Sequence, residues 1–226
     1  PDWIVPVGGF GAALVPTSQS LLDLSNPAVL DWIEATFRRL ADDWGFRWFK
    51  VDFAYYALFA TGLSDPHATA GSAYAAALRR IRDAIGPDSF LLVVSASGQS
   101  MDVADGDRLT LDNMPRWGDP TGIGDQGIKP TYRTIARRYY MNHHLWINHP
   151  DLVFFRDGQG LTLAEARTWV SAVALMGGIV KLGETYEALH AHPEWLALVR
   201  PLLPVYPRSG RPLDLFDREY PEVWDL

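Results

Sequence analysis

Cysteine is absent from this chain of 226 residues, which excludes a disulfide framework and leaves the redox compartment undecided. No apolar run reaches the length of a membrane span. Basic residues number 20 against 27 acidic ones, and the net charge of -7 argues against nucleic acid, because phosphate binding needs a basic surface. The sequence therefore predicts neither a membrane nor a nucleic acid as partner.

Aromatic and other apolar residues are abundant by contrast. Hydrophobic residues make up 48% of the chain, enough for one sizeable core, and the length suits one domain or a large part of one. Nine tryptophans and nine tyrosines are many for this length. Aromatic side chains at this density fill cores, and they also line clefts that bind sugars.

Predicted strands and helices alternate along the chain. Asn26 and Pro27 are a helix start, and the apolar run at 46–53 (FRWFKVDF) predicts a strand. Further helices are predicted over 74–85, 131–143, 162–176 and 193–203, and further strands over 90–95, 108–112, 145–148 and 178–183. About five βα units result, which suit a doubly wound sheet or most of a (β/α)8 TIM barrel.

The two ends of the sequence suggest a longer parent. The chain begins at Pro1 without an initiator methionine or signal peptide, and the residues that end at Leu226 read as part of a longer segment. We expect residues 1–203 to form a partial (β/α) barrel and the proline-rich residues 204–226 to begin another unit or linker. Localisation is left open, with the cytoplasm favoured over secretion, and a homo-oligomer is among the open alternatives for assembly.

Every predicted strand ends in polar or charged residues, as in barrel enzymes, whose chemistry lies at the C-terminal ends of the strands. These residues are Lys50 and Asp52, Ser95 and Ser97, Arg108 and Asp112, Asn148 and Asp151, and Lys181 and Glu184. Because side chains alternate along a strand, Lys50 and Asp52 are predicted to share a face, and a strand over 108–112 would place Arg108 and Asp112 on one face as well.

Two carboxyl groups at neighbouring strand ends suit glycoside hydrolysis, which needs one ionised carboxylate and one proton donor. Lys50 would keep Asp52 ionised as the nucleophile, because a cation favours the charged form of its neighbour. Asp112 would donate the proton, and Arg108 would bind a sugar hydroxyl or orient the site. Pairing with Arg108 opposes the acid role of Asp112, whereas ionised Asp52 and a closed cleft favour it, and the sequence leaves this balance open. Neither role requires a cofactor or a metal.

Several segments resemble glycoside hydrolase family 36, the bacterial α-galactosidase type. Residues 49–53 (FKVDF) are similar to its nucleophile strand, 108–112 (RLTLD) to its acid/base segment and 146–151 (WINHPD) to its Trp-Leu-Asn-Asp-Pro-Asp segment. The family's sequence is also similar in the helix-to-strand connection at 79–90 and in the short segments at 1–3, 22–27 and 213–216. The resemblance covers nearly the whole chain, and four short motifs occur in the same order along the chain as in the family.

This resemblance implies a (β/α)8 barrel and retaining hydrolysis of terminal α-galactosides through a covalent glycosyl-enzyme. Asp52 would be the nucleophile and Asp112 the general acid/base. The sugar would contact Lys50, Arg108, Ser95, Trp117 and Trp146, and the substrate would be an α-linked oligosaccharide or glycoside. A C-terminal β-rich unit is implied as well.

The sequence departs from the family at three points. The family carries Gly-Cys-Gly after the nucleophile strand, whereas residues 93–97 read VVSAS, and small residues there would admit an N-acetyl group. An α-N-acetylgalactosaminidase is therefore an alternative, and a transglycosylase on the same scaffold is another. His149 stands where the family often has aspartate. The first three barrel strands would precede Pro1, so we expect the isolated piece to be inactive or poorly soluble, and an inactive or merely sugar-binding fragment is a further alternative.

Structural roles compete with the functional ones. Lys50 with Asp52 could be a buried ion pair, and Arg108 with Asp112 a surface salt bridge. Trp117 and Trp146 fit core positions equally well, and Asn148 and Asp151 fit a turn. His143, His144, His149 and Asp151 could suggest a metal site, but adjacent histidines point to different faces of a helix and no third ligand stands out, so no metal site is predicted.

Overall fold

The computed structural model describes residues 3–94, 98–118, 126–156 and 160–226. The chain divides into two compact units, Pro1–Asp105 and Gly106–Leu226. Each unit contains a pair of parallel strands connected through a helix, which is the arrangement that the alternating pattern predicts.

The first unit contains four short strands and three α-helices among its described residues. In chain order they are β1 (Ile4–Val5), α1 (Gly11–Leu14), β2 (Leu21–Leu22), α2 (Pro27–Asp42), β3 (Trp48–Val51), α3 (Ala70–Ile85) and β4 (Phe90–Val94). β1 pairs with β2 in antiparallel fashion. β3 and β4 are parallel, with Trp48 opposite Phe90 and Val51 opposite Val93, so β3, α3 and β4 form one βαβ unit.

Local signals explain where the two long helices of this unit begin. The Asn26 side chain accepts a hydrogen bond from the Ala28 amide and Pro27 occupies the first helical position, which confirms the predicted start of α2. α3 begins earlier than predicted, because Thr69 and Ser72 form a reciprocal capping box. Both helices bury an apolar face in a core that includes Val29, Ile33, Tyr74, Leu78, Ile81, Leu91 and Val93.

Alternation along β3 determines which side chains face this core. Phe49 and Val51 are buried in it, whereas Lys50 is half-buried and Trp48 is exposed. Side chains of successive strand residues point to opposite faces, so Lys50 leaves the core side and reaches the same side as Asp52. The prediction that these two residues share a face is confirmed by their ion pair.

A buried carboxylate joins two loops of the first unit. Asp23, 1% exposed, accepts hydrogen bonds from the amide and hydroxyl of Ser25 through Oδ1, and from the Ser64 amide through Oδ2. Burial by itself would raise the pKa of Asp23, but these hydrogen bonds together outweigh it, so the pKa lies below its ordinary value. The ionised form is therefore the one that holds the residues around Ser25 and Ser64 together.

Replacing Asp23 with Asn is expected to lower the free energy of unfolding at neutral pH by about 1–3 kcal/mol, because an amide cannot accept the Ser64 bond as well as the Ser25 bonds. The folded pKa is depressed, so the contribution of Asp23 is present above its unfolded pKa and is lost as the pH falls through the folded value. Urea unfolding of both proteins from neutral to acid pH should show the difference shrinking. Asp88→Asn, at an exposed position, is the control, and a difference independent of pH would contradict the assignment.

The second unit contains four strands and four α-helices among its described residues. They are β5 (Gly106–Arg108), α4 (Ile128–Arg137), β6 (Ile147–His149), α5 (Leu163–Met176), α6 (Tyr186–Ala191), α7 (Pro193–Val199), β7 (Arg211–Pro212) and β8 (Trp224–Asp225). β5 and β6 are parallel, with Arg108 opposite His149. Thr162 and Glu165 form the predicted capping box of α5, and the core around α5 includes Phe155, Trp169, Val173, Met176 and Trp195.

Three predicted elements of this unit have different bounds. β5 ends at Arg108, where the predicted strand began, so Asp112 lies in the following loop rather than on a strand. α4 begins at Ile128, three residues early. The segment predicted as a strand at 178–183 makes one parallel bridge, between Leu182 and Val153, and extends no further as a strand among the described residues.

The C-terminal residues belong to this second unit. β7 and β8 pair in antiparallel fashion, and the Tyr132 hydroxyl of α4 donates a hydrogen bond to the Pro221 carbonyl. That residues 204–226 begin a further unit or linker stays a prediction. In the described part of the chain, no helix combines the length and the apolar character needed to cross a membrane.

Candidate active site

Lys50 and Asp52 lie at the C-terminal end of β3, where Lys50 points away from the core that Phe49 and Val51 enter. The distance between Lys50 Nζ and Asp52 Oδ2 is 2.8 Å, and the two side chains are 26% and 30% exposed. An ion pair at this exposure contributes about 1 kcal/mol or less to stability, since water screens it. Folding stability alone is therefore a weak reason for this placement, whereas an exposed, oriented carboxylate is what a nucleophile requires.

The backbone beyond β3 also holds Asp52. The Phe53 amide donates a 2.9 Å hydrogen bond to Asp52 Oδ1, so both carboxylate oxygens are engaged. Phe53 has φ 55°, in the left-handed region, and the chain then enters a 3-10 helix over Ala54–Phe59. Non-glycine residues in this conformation cost free energy and are enriched at functional sites. The turn fixes the orientation of the carboxylate.

A cavity of about 450 Å³ in the first unit reaches Asp52. Most of its lining is apolar and comes from α2, α3 and the residues after β3, including Ile33, Phe37, Ala57, Tyr74, Leu78 and Ile81. Phe53 and Tyr56 also line it, and their rings stack with centroids 5.6 Å apart. Ile33, Tyr74, Leu78 and Ile81 also belong to the core of the unit, and Lys50 does not line the cavity, so this space lies on the core side of β3 and borders Asp52 at the strand end.

In the second unit, Arg108 lies between two carboxylates. Its Nη1 is 2.6 Å from Asp112 Oδ1 and 3.7 Å from Asp151 Oδ1. Arg108 and Asp151 are 6% and 7% exposed, whereas Asp112 is 50% exposed. The guanidinium is thus buried with one carboxylate and holds the other at the surface, where a substrate can reach it. The expected ion pair between Arg108 and Asp112 is present. The prediction that both residues lie on one strand was wrong, because Asp112 reaches Arg108 from the loop after β5.

A network of hydrogen bonds positions Asp151. Its Oδ2 accepts from the Asn113 amide at 3.0 Å, and its own amide donates to His149 Nδ1 at 3.1 Å. Asp151 has φ 76°, again in the left-handed region. The Asn113 side chain donates to the Leu152 carbonyl and accepts from the Leu152 amide, which ties the loop after β5 to the loop after β6. His149 is fully buried, and its Nδ1 is the acceptor.

The other strand-end residues hold structure together. Asn148 is fully buried, accepts from no partner at Oδ1 among the described residues, and donates through Nδ2 to the Arg138 carbonyl at 3.1 Å. Glu184, 3% exposed, accepts from the Phe155 amide and from Arg156 Nε. These contacts fix the loops that follow β6 and the Leu182 bridge.

The predicted sugar contacts fall in different environments. Ser95, with Ser97, lies outside the described residues. Trp146 is 4% exposed, as a core aromatic would be. Trp117 is half-buried and lines a groove formed with α4, α5 and the C-terminal residues. Within the described residues, no group of three or more histidine, aspartate or glutamate side chains could hold a metal ion.

Sequence reasoning underrated Asp151 and missed Asn113. Asp151 was interpreted chiefly as a turn residue, and the turn is present, but its carboxylate also faces Arg108. Asn113 follows Asp112 directly, and nothing in the local pattern indicates that its amide bridges two loops. Asp52 and Asp112 belong to the first and the second unit respectively, and each is held by a cation of its own unit.

No protein-family model and no curated protein matches this chain. Solved structures match its fold. An α-galactosidase from Thermus thermophilus in complex with stachyose has a TM-score of 0.70 at 24% identity, covering 91% of this chain and 45% of its own. An isomalto-dextranase from Arthrobacter globiformis T6 complexed with panose has a TM-score of 0.59 at 17% identity, covering 94% of this chain and 38% of its own.

α-Galactosidase I from Mortierella vinacea has a TM-score of 0.59 at 10% identity, with 86% of this chain and 51% of its own covered. The chain therefore spans about half or less of the length of these proteins. At these identities the likeness concerns the fold. It confirms the predicted class, a partial (β/α) barrel, and the resemblance to α-galactosidases that the motifs indicated is confirmed at the level of the fold.

Proposed function

We propose that the protein containing this chain is a retaining glycoside hydrolase that cleaves terminal α-galactosides through a covalent glycosyl-enzyme on Asp52. The observation that carries the proposal is the ion-paired, accessible carboxylate at the end of β3 in a fold shared with α-galactosidases. One of those structures holds stachyose, and another of the same enzyme holds p-nitrophenyl α-galactoside. The chain spans less than half of that enzyme, so the activity is proposed for the full-length protein.

In the first step, an oxygen of Asp52 attacks the anomeric carbon and forms a glycosyl ester while the glycosidic bond breaks. Lys50 Nζ and the Phe53 amide hold the two oxygens of Asp52 in one orientation before attack. Positioning of this kind lowers the barrier because the carboxylate need not be ordered during the reaction. Lys50, half-buried beside it, also has donors that can reach a sugar hydroxyl.

Asp112 is proposed to give its proton to the departing oxygen and then to take a proton from the water that cleaves the ester. Arg108 holds Asp112 Oδ1, and Oδ2 has no partner within the described ranges, so Oδ2 is the oxygen that can carry the proton. Asp151 anchors Arg108 from the buried side. Arg108 is thus a fixed support for an exposed acid, and it is also proposed to contact the sugar.

Two alternatives exist within this scaffold: one differs in the sugar's C2 substituent, and the other in the acceptor that attacks the glycosyl ester. An α-N-acetylgalactosaminidase or a transglycosylase would use the same two carboxyl groups. Ser95, proposed as a contact of the sugar, lies outside the described residues, so substrate profiling is what separates these activities.

The proposal is tested by incubating the full-length protein with p-nitrophenyl α-galactoside and with its 2-acetamido counterpart, while proton NMR follows the anomeric signals. We expect hydrolysis of the galactoside with α-galactose as the first product, because two displacements at the anomeric carbon retain its configuration. β-Galactose as the first product would indicate inversion and exclude a covalent intermediate. Preference for the 2-acetamido substrate would establish the α-N-acetylgalactosaminidase alternative. If neither substrate is hydrolysed, the proposed glycosidase activity is refuted.

A further inference from the structure

The second unit contains a groove of about 680 Å³ between α4, α5 and the C-terminal residues. Four aromatic side chains line it, each of them partly buried: Trp117, Tyr132, Tyr220 and Trp224. The volume lies within the range of about 300–1,000 Å³ typical of small-molecule sites. Arg108, Asp112 and Asp151 do not line it, so the groove is a separate feature of the unit.

Hydrogen bonds within the protein fix the aromatic rings. Trp224 Nε1 donates to the Tyr132 hydroxyl at 3.0 Å, and that hydroxyl donates to the Pro221 carbonyl. Burial raises the pKa of Tyr132, so its hydroxyl stays protonated as a donor. The Lys129 amide donates to the Trp117 carbonyl at 2.8 Å, which holds Trp117 against the start of α4. The indole N–H of Trp224 and the hydroxyl of Tyr132 are thus engaged within the protein, and both rings are held in the lining of the groove.

Two cations of the groove can donate to a ligand. Lys129 Nζ lies 4.5 Å from the centroid of the Tyr220 ring, and Arg167 is exposed on α5. Neither has a carboxylate partner in the described part of a chain whose net charge is -7. Glu222 at the edge of the groove is instead paired with Arg218 at 2.9 Å. The groove therefore presents N–H donors beside aromatic faces.

This combination matches a sugar. A pyranose has an apolar C–H face that stacks on the electron-rich face of an aromatic ring, and hydroxyl oxygens around its edge that accept from cationic donors. The hydroxyls of Thr168 and Ser171 donate to helix carbonyls of α5 and keep lone pairs for a sugar hydroxyl. We propose that the groove binds an oligosaccharide at a second site, with Trp224 and Trp117 as stacking surfaces and Lys129 and Arg167 as donors.

The site is tested with stachyose as the probe and the Trp224 indole N–H as the reporter. The full-length protein carrying Asp52→Asn is used so that the sugar is not consumed, and the indole NMR signal is assigned by its loss in a Trp224→Phe variant. We expect a saturable shift of this signal at millimolar stachyose. Arg167→Ala should weaken the apparent affinity about tenfold, because it removes a charged donor. Arg200→Ala, an exposed arginine of the same unit that lies outside the groove, should leave the affinity unchanged.

Absence of a saturable shift, or a shift that Arg167→Ala and Arg200→Ala affect equally, would overturn the second site. The result does not depend on the proposed function, because the reporter lies in the groove and needs no turnover. Hydrolysis of stachyose by the Asp52→Asn protein would refute the role of Asp52 and would not by itself decide whether the groove binds a sugar.

Discussion

Replacing Asp52 with Asn is expected to reduce turnover of p-nitrophenyl α-galactoside by about 10⁴-fold or more, which corresponds to about 5 kcal/mol of transition-state stabilisation. The amide is nearly the same size as the carboxylate and can still accept from the Phe53 amide, but it cannot form the glycosyl ester. Steady-state kinetics of the full-length protein measure this loss. The KM should change far less than kcat, because Asn leaves the binding surface in place.

The matched control for this variant is Asp83→Asn, at an exposed position of α3 in the same unit. It should retain full turnover. Circular dichroism and urea unfolding establish that the Asp52 variant is folded. A catalytic nucleophile cannot be replaced by an amide without loss of turnover. If the Asp52→Asn protein keeps more than about a tenth of the activity, Lys50 and Asp52 form only a structural ion pair.

Replacing Asp112 with Asn is expected to produce a loss that depends on the leaving group. With an oligosaccharide such as stachyose, which needs protonation of the departing oxygen, kcat/KM should fall by about 10²–10⁴-fold. With the nitrophenyl substrate the first step should be nearly unaffected, because nitrophenolate departs without a proton, and hydrolysis of the glycosyl-enzyme should become limiting. A burst of nitrophenol in stopped-flow measurements would show this change.

Azide provides the decisive test for Asp112. This small anion needs no general base, so it should attack the anomeric carbon of the accumulated ester, release Asp52 and yield α-galactosyl azide. Asp217→Asn, an exposed aspartate of the same unit, should respond to neither leaving group nor azide. Equal losses on both substrates without azide rescue would mean that Asp112 serves only as the partner of Arg108 in a salt bridge.

Local signals in the sequence account for much of the secondary structure. Asn26 with Pro27, and Thr162 with Glu165, start helices because their side chains satisfy amides that a first helical turn leaves without partners. The alternation Phe49, Lys50, Val51 predicts both the buried face of β3 and the side on which Asp52 stands. These inferences depend on neighbours a few residues apart, which a linear sequence displays directly.

Element ends were harder to predict where tertiary contacts decide them. β5 stops at Arg108 and Asp112 lies in a loop, yet the pair still forms, because the loop after β5 curves back and Asn113 ties it to Leu152. The segment at 178–183 has strand-like composition but contributes a single bridge, and Gly178 packs so closely against the Asn148 carbonyl that a Cβ would lie 2.1 Å from that oxygen. Neither contact can be recognised from the order of residues in the local sequence.

The sequence by itself determined the alternating helices and strands, the shared face of Lys50 and Asp52, and the motifs that resemble α-galactosidases, because each depends on spacing along the chain. Only the tertiary structure decided that Arg108 is shared by Asp112 and Asp151, and that Trp117 and Trp224 line one aromatic groove. Residues that are 43 and 107 positions apart come together there. Such contacts arise from packing of whole elements, and local spacing carries no information about them.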